Sequence, residues 1–225
     1  MKVKLVPVIE IFNSNENIKL PDFGPSWEYK DEWEAYNCLC NKAAGFSDDL
    51  KPYQKASRFY AIDELSDADL LRAIQKEIDF EESDETDTAD AIDFITPFSG
   101  GYILELDDMA VYFPQCCGSL ADIKEWKDLI IGKTSSFFAG HPFPRVTENG
   151  NKIRFDFVDI EVKENFAPPC LFDVLEIEKS DLQSAIDLAD TSLHVLSERL
   201  KAINRSEKLD IENIEQKLIW AENEF

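Results

Sequence analysis

The chain of 225 residues is 44% hydrophobic and 12% aromatic, so it has enough apolar surface to bury a core and is not disordered as a whole. Its formal net charge of -23 excludes a basic surface of the kind that binds nucleic acid, and it repels anionic membranes. A cation or a protein with a basic face is the kind of partner that this charge attracts. No run of about 20 apolar residues occurs, so we expect no membrane-spanning helix.

The N-terminal part of the chain predicts one strand and two helices. Residues 3–12 are rich in apolar and β-branched side chains, which is typical of a strand. Residues 31–44 have apolar side chains at helical spacing, and Gly45 is suited to end that helix. Ser66 is a suitable N-cap for the second helix. The predicted buried stripe of this helix contains Leu70, Leu71, Ile74 and Ile78.

The middle of the chain predicts a hairpin followed by a short helix. Two apolar segments, 102–106 and 109–113, flank Asp107-Asp108, a pair that favours a tight β-turn. After the hairpin, Ser119 is expected to cap a helix that ends near residue 131.

The C-terminal part predicts a second hairpin, a last strand and two helices. The hairpin turn is expected at 148–151, and residues 171–177 are typical of a strand. A long helix is predicted over 180–202, and Asp210 is expected to cap a final helix. The predicted apolar side of the long helix contains Leu182, Ile186, Ala189, Leu193, Leu196 and Leu200.

This order of elements predicts an α+β fold with a mainly antiparallel sheet, flanking helices and a helical C-terminal region. We expect a single domain over residues 1–225, with 180–225 as a helical appendage.

The five cysteines indicate a reducing compartment. Their number is odd and their spacing matches no disulfide framework, and neighbouring cysteines are poorly placed to bond to each other. The apolar start of the chain is interrupted by Pro7 and Glu10, so we interpret it as a strand and not as a signal peptide. A cytoplasmic location is therefore expected.

Charge is concentrated in one segment. Residues 66–108 contain 14 acidic and 2 basic residues, a net charge of -12. We name as the acidic run eight carboxylates that occur without an intervening Lys or Arg: Asp79, Glu81, Glu82, Asp84, Glu85, Asp87, Asp90 and Asp93. The run can be a solvated segment, a docking surface for a basic partner, or a binder of divalent cations. The third interpretation is weakened because the spacing lacks the glycine-centred calcium loop.

Cys116 and Cys117 lie between a predicted strand and a capped helix, where helix amides can activate a thiol. A cysteine nucleophile needs a base, and the chain has only two histidines, His141 and His194. His194 lies within the long predicted helix, whereas His141 lies in a proline-rich loop. His141 is therefore the candidate base, and simple packing of the two cysteines is the alternative.

Metal and cofactor binding have little support in the sequence. The pairs Cys38 with Cys40 and Cys116 with Cys117 lack the two to four intervening residues that structural zinc sites prefer. No dinucleotide, phosphate-loop, hydrolase or kinase motif occurs. We expect no metal and no cofactor.

Aromatic residues near Pro25 and in the short helix are candidate contacts for a partner protein. They are Trp27, Trp33, Tyr36 and Trp126.

The segment from Tyr112 to Leu120, followed by Ile123 and Trp126, resembles a stretch found in small bacterial proteins, some of which are associated with immunity to polymorphic toxins. The likeness covers about fifteen residues. It implies a cytoplasmic protein that neutralises a toxin by binding it.

We therefore expect a non-enzymatic, acidic protein-binding module whose partner is a basic protein, and an immunity protein is the specific form that the resemblance implies. One alternative is a cysteine-dependent enzyme that uses Cys116 or Cys117 with His141. Another alternative is a structural or assembly subunit, which predicts an oligomer that depends on concentration.

Overall fold

The computed structural model describes residues 1–22, 24–82, 95–161 and 163–221, with the backbone alone for residues 79–82. The strands are β1 (Val3–Glu10), β2 (Phe59–Ala61), β3 (Gly100–Leu106), β4 (Met109–Tyr112), β5 (Arg145–Asn149), β6 (Lys152–Asp156) and β7 (Val174–Glu178). The helices are α1 (Lys30–Ala43), α2 (Asp67–Glu82), α3 (Ile123–Ile130) and α4 (Lys179–Glu207), with a 3-10 turn at Leu120–Asp122 and a π-helical turn at Gln216–Trp220.

The strands form two sheets, in the orders β2-β1-β3-β4 and β5-β6-β7. The pairs β3–β4, β5–β6 and β6–β7 are antiparallel. Asp107 and Asp108 have φ angles of +48° and +64°, which is the backbone of the tight turn that matches the twist of a hairpin. The predicted α+β fold with antiparallel sheets is confirmed.

The chain separates into two compact units. Unit 1 comprises Met1–Val8 and Pro97–Val195, and unit 2 comprises Ile9–Thr96 and Leu196–Phe225. The strand β1 and the helix α4 each pass from one unit into the other. This division does not test the prediction of one domain with an appendage at 180–225, because two compact units can belong to one domain or to two.

A cluster of aromatic rings lies in the core of unit 1. Trp126 on α3 is 1% exposed, and its ring lies 5.2 Å from the ring of Phe137 and 6.0 Å from that of Phe155. Tyr112, at the end of β4, stacks 5.8 Å from Phe157. These rings fix the end of β4, from which the cysteine segment departs.

The core of unit 2 is formed by apolar faces of α1, α2 and the end of α4. As predicted, Ser66 caps α2, because its hydroxyl accepts a hydrogen bond from the backbone N–H of Asp69. The buried carboxylate of Asp69 accepts hydrogen bonds from the backbone N–H and the hydroxyl of Ser47, both at 2.9 Å. The predicted stripe of α4 is buried in full, across both units.

One strand was not predicted, and two predicted elements differ from the structure. The strand β2 was missed because three residues carry too short a pattern to be recognised. The strand predicted over 171–177 begins three residues later, at Val174. Asp210 does not cap a helix: Lys208, Asp210 and Asn213 have positive φ angles, so the chain turns repeatedly before the short π-helical turn.

None of the helices in the described part of the chain is long and apolar enough to cross a membrane.

Candidate functional site

In unit 1, two exposed cysteines and a half-exposed histidine lie next to buried residues of two loops. Gln115 and Gly118, which flank the two cysteines, are buried, whereas Cys116 and Cys117 are exposed. We name Cys116, Cys117 and His141 the thiol–imidazole cluster. The three side chains offer ligand atoms that all lie within 4.8 Å of one another.

Backbone contacts hold the two loops of the cluster together. The N–H of His141 donates to the carbonyl oxygen of Cys116 at 2.9 Å, in an isolated antiparallel bridge. Gly140 has a φ angle of +84°, and a Cβ atom at this position would lie 2.6 Å from the oxygen of Cys116. Only glycine allows this close approach, so the sequence Gly140-His141 places the imidazole beside the thiols.

The two sulfur atoms lie on the same side of the chain, 3.4 Å apart. Cys117 has a φ angle of +65°, which is unusual for a residue with a side chain and turns its Cβ away from the usual alternation. Neither of these two cysteines forms a disulfide bond. The sequence predicted that neighbouring cysteines point apart, and the left-handed backbone at Cys117 is the reason that these two do not.

The imidazole of His141 joins a thiol to a carboxylate. Its Nε2 atom lies 3.7 Å from Sγ of Cys117, and its Nδ1 atom lies 3.1 Å from Oε2 of Glu164. When Glu164 accepts a hydrogen bond from Nδ1–H, the lone pair of Nε2 points to the thiol. This is the order of groups that activates a nucleophile: thiol, base and a carboxylate that orients the base.

Gln115 ties the segment that contains Glu164 to the cysteine loop. Its Oε1 atom accepts a hydrogen bond from the N–H of Ala167 at 2.9 Å, and its Nε2 atom donates to the oxygen of Phe113 at 2.8 Å. Gln115 is 8% exposed, and its hydrogen bond to Phe113 is buried, whereas the one from Ala167 is partly buried. Gln115, a polar residue that the sequence did not single out, therefore ties the backbone at Ala167, three residues after Glu164, to the cysteine loop.

The helix start that follows the cysteines is occupied by its own cap. Ser119 and Asp122 form a capping box, and the N–H of Ser119 donates to Asp122 at 2.8 Å. Burial raises the pKa of the Asp122 carboxyl to about 6. The predicted activation of a thiol by helix amides gains no support here, because the cap places a carboxyl at the helix start. The near neighbours of Cys117 are Cys116 and His141.

An open cavity of about 590 Å³ adjoins the carboxylate side of the cluster. Glu164 is one of its lining residues, and aromatic walls come from Phe157, Phe166 and Phe172. A cavity of this kind can hold an apolar group beside the Glu164 carboxylate.

The structure places the other predicted site residues as follows. In the acidic run, Asp79, Glu81 and Glu82 lie in the last turns of α2 without described side chains, and Asp84, Glu85, Asp87, Asp90 and Asp93 lie outside the described residues. His194 is exposed on α4, where its Nε2 atom lies 3.9 Å from Asp190.

Two of the four predicted aromatic contacts are in the core. Tyr36 is 5% exposed and Trp126 is 1% exposed, because their rings fill the interiors of their units. Trp27 and Trp33 are half-buried in unit 2, and the indole N–H of Trp33 donates to the oxygen of Gly24. Only Trp27 and Trp33 therefore keep surface that a partner can contact.

Comparisons with family models, with curated proteins and with solved structures found no match for this chain. The chemistry of the thiol–imidazole cluster therefore has to be argued from its own residues.

Proposed function

We propose that the chain carries out nucleophilic chemistry with Cys117 as the nucleophile, His141 as the base and Glu164 as the residue that orients the base. The observation that supports this proposal most is the continuous contact from Sγ of Cys117 through the imidazole to the Glu164 carboxylate. The exposure of Cys117 allows a substrate to reach the sulfur atom.

The proposed reaction is acyl transfer from an ester, thioester or amide. The Cys117 thiol gives its proton to Nε2 of His141 and the sulfur bonds to the carbonyl carbon, whose π pair moves to oxygen. The intermediate collapses and expels the leaving group, which takes the proton from His141. Water then gives a proton to His141 and attacks the carbonyl carbon of the thioester. The carbon–sulfur bond breaks, the acid leaves, and the sulfur takes the proton back from His141 to restore the thiol. The aromatic cavity beside Glu164 favours substrates with an apolar acyl group.

Selective alkylation of the thiols tests this proposal. The reduced protein is treated with iodoacetamide near pH 7, and modification of each cysteine is followed with time by peptide mass spectrometry. We expect Cys117 to react at least about fivefold faster than Cys38, because the adjacent imidazole of His141 can take the proton of the Cys117 thiol. Cys38 is an exposed reference thiol that reacts slowly for reasons of its own, because burial, Glu34 and Asp48 raise its pKa. The variant His141→Gln should slow the alkylation of Cys117 and leave that of Cys38 unchanged.

A second control is internal to unit 1. Burial raises the pKa of Cys170 to about 12, so this thiol should remain unmodified on the same timescale. Equal rates for Cys117 and Cys38 in the wild-type protein would contradict the proposal. Equal rates for wild type and His141→Gln would contradict the role of the imidazole.

A second proposal concerns the acidic run, which we propose to be a docking surface for a basic protein, with a toxin neutralised by this chain as the specific form. The net charge of -12 over residues 66–108 supports it. Within the described part of the chain, fourteen Lys and Arg residues form ion pairs with carboxylates outside the run, and these cations are engaged elsewhere.

The second proposal is tested by neutralising the acidic run. A partner captured from the native lysate is identified, and its association rate with the chain is measured at low and high salt. Replacing the eight acids by Asn and Gln should slow association and flatten its salt dependence. In a control variant, eight acids outside the run are replaced by Asn and Gln, so that its net charge equals that of the run variant. If both variants retain the wild-type salt dependence, the run does not steer recognition.

A further inference from the structure

We propose that the thiol–imidazole cluster is a zinc site, with Sγ of Cys116, Sγ of Cys117 and Nε2 of His141 as its three protein ligands. This inference rests on the same residues as the proposed thiol chemistry and adds a regulation to it, because a zinc-bound Cys117 is not free to attack a substrate.

The distances between the ligand atoms fit a tetrahedral ion. With Zn–S bonds of about 2.3 Å and a Zn–N bond of about 2.0 Å, two sulfurs lie about 3.8 Å apart and a sulfur and a nitrogen about 3.5 Å apart. The observed separations are 3.4 Å between the sulfurs and 3.7 Å between Sγ of Cys117 and Nε2 of His141. Movements of a few tenths of an ångström along this part of the cluster would therefore accommodate the ion.

The surroundings of His141 are those of a metal-binding histidine. Ligating histidines usually donate the second ring N–H to a carboxylate, which fixes the tautomer and the orientation of the ring. Glu164 occupies this position at 3.1 Å from Nδ1. The buried side chain of Gln115 accepts a hydrogen bond from the N–H of Ala167, which ties the segment that contains Glu164 to the cysteine loop.

The backbone conformation of the cysteine pair allows two adjacent thiols to bind one ion. Structural zinc sites prefer two to four residues between paired cysteines, since shorter spacing normally turns the thiols apart. The φ angle of +65° at Cys117 brings both sulfurs to one side, and His141 faces them from another loop. Two thiolates and one imidazole leave a fourth position for water, which matches the exposure of the two cysteines.

Cobalt binding tests the inference directly. The reduced wild-type protein is titrated with Co²⁺ under anaerobic conditions. We expect a thiolate-to-cobalt charge-transfer band in the near ultraviolet and visible bands of tetrahedral cobalt, all of which Zn²⁺ should displace. The variants Cys116→Ser, Cys117→Ser and His141→Ala should each lose these bands, whereas Cys38→Ser and Cys170→Ser should retain them. Circular dichroism of each variant checks that it is folded.

The carboxylate gives a graded readout. Glu164→Ala should weaken zinc affinity by about tenfold, the lower end of the effect of removing a carboxylate that supports a ligating histidine. Absence of the cobalt bands, or their persistence in any of the three ligand variants, would overturn the zinc site.

Alkylation separates this inference from the proposed chemistry. Zinc should protect Cys117 of the wild-type protein from iodoacetamide, and a chelator should restore the reaction. Fast alkylation of Cys117 without any cobalt bands would refute the zinc site and leave the thiol chemistry standing. Cobalt bands together with slow alkylation of Cys117 in the metal-free protein would refute the thiol chemistry and leave the zinc site standing.

Discussion

Replacing Gly140 by Ala should damage the candidate site more than the same change at another glycine. Gly140 and Gly150 both have positive φ angles, of +84° and +62°. A Cβ atom at Gly140 would lie 2.6 Å from the oxygen of Cys116 and 2.8 Å from that of Gln115. At Gly150 it would meet nothing within 4 Å. The pair of variants therefore separates backbone strain from close contact.

The expected magnitudes follow from these two terms. A left-handed backbone costs an alanine about 1–2 kcal/mol, and both variants carry this cost. Gly140→Ala must also displace the Cys116 carbonyl by roughly 0.7 Å to restore an ordinary contact of about 3.3 Å. Overpacking of this kind costs about 1–3 kcal/mol more. We therefore expect Gly140→Ala to lower the free energy of unfolding by about 2–5 kcal/mol and Gly150→Ala by about 1–2 kcal/mol.

Urea unfolding, followed by circular dichroism and tryptophan fluorescence, measures both variants. Because the displaced carbonyl accepts the hydrogen bond from His141, alkylation of Cys117 should also become slower in Gly140→Ala and remain unchanged in Gly150→Ala. Equal losses of stability in the two variants would refute the view that Gly140 is needed for close approach of the loops.

Three further predictions concern stability. Gln115→Met removes two hydrogen bonds, to the carbonyl oxygen of Phe113 and from the N–H of Ala167, and should lower the free energy of unfolding by about 1–3 kcal/mol. In the same urea assay, Gln183→Met, which removes only an exposed hydrogen bond to Asp187, should cost under about 0.5 kcal/mol. The pKa of Asp122 is raised by burial to about 6 in the folded state, so its contribution to stability is complete near pH 4 and is lost as the pH rises through 6. Between pH 4 and pH 6 the stability of Asp122→Asn should therefore rise relative to that of wild type, by up to ~3 kcal/mol. A stability difference that does not change with pH would contradict the raised pKa of Asp122. Asp69→Ala removes a buried acceptor of three side-chain and backbone donors and should cost about 3 kcal/mol or more, against nearly nothing for the exposed Asp48→Ala.

Much of the fold could be predicted because local rules determine it. The Asp107-Asp108 turn and the cap at Ser66 each depend on a few adjacent residues, and the apolar stripe of α4 repeats over several turns. A last helix was predicted to begin at Asp210, whereas residues 208–213 form turns and helical structure is confined to 214–220. Lys208, Asp210 and Asn213 have positive φ angles. Residue type alone does not predict these angles, because Asp and Asn are equally typical of a helix cap.

The candidate site could be predicted in part. Cys117 and His141 were paired from residue chemistry, since a thiol nucleophile needs a base and only one histidine lies in a loop. Glu164 and Gln115 were missed because both act through contacts distant in sequence: Gln115 reaches Ala167, 52 residues away. Glu164 lies in an irregular segment between β6 and β7, where no periodicity indicates which carboxylate faces the imidazole.

The covalent path of the chain limits how the protein can be dissected. The boundary after Val195 falls inside the 29-residue helix α4, and the boundary after Val8 falls inside β1. A truncation at either boundary would sever a regular element and leave part of a unit attached to the remaining fragment. Neither half can therefore be obtained as an intact piece by a single cut, and point substitutions in the full-length chain are the sound way to probe the cysteine loop.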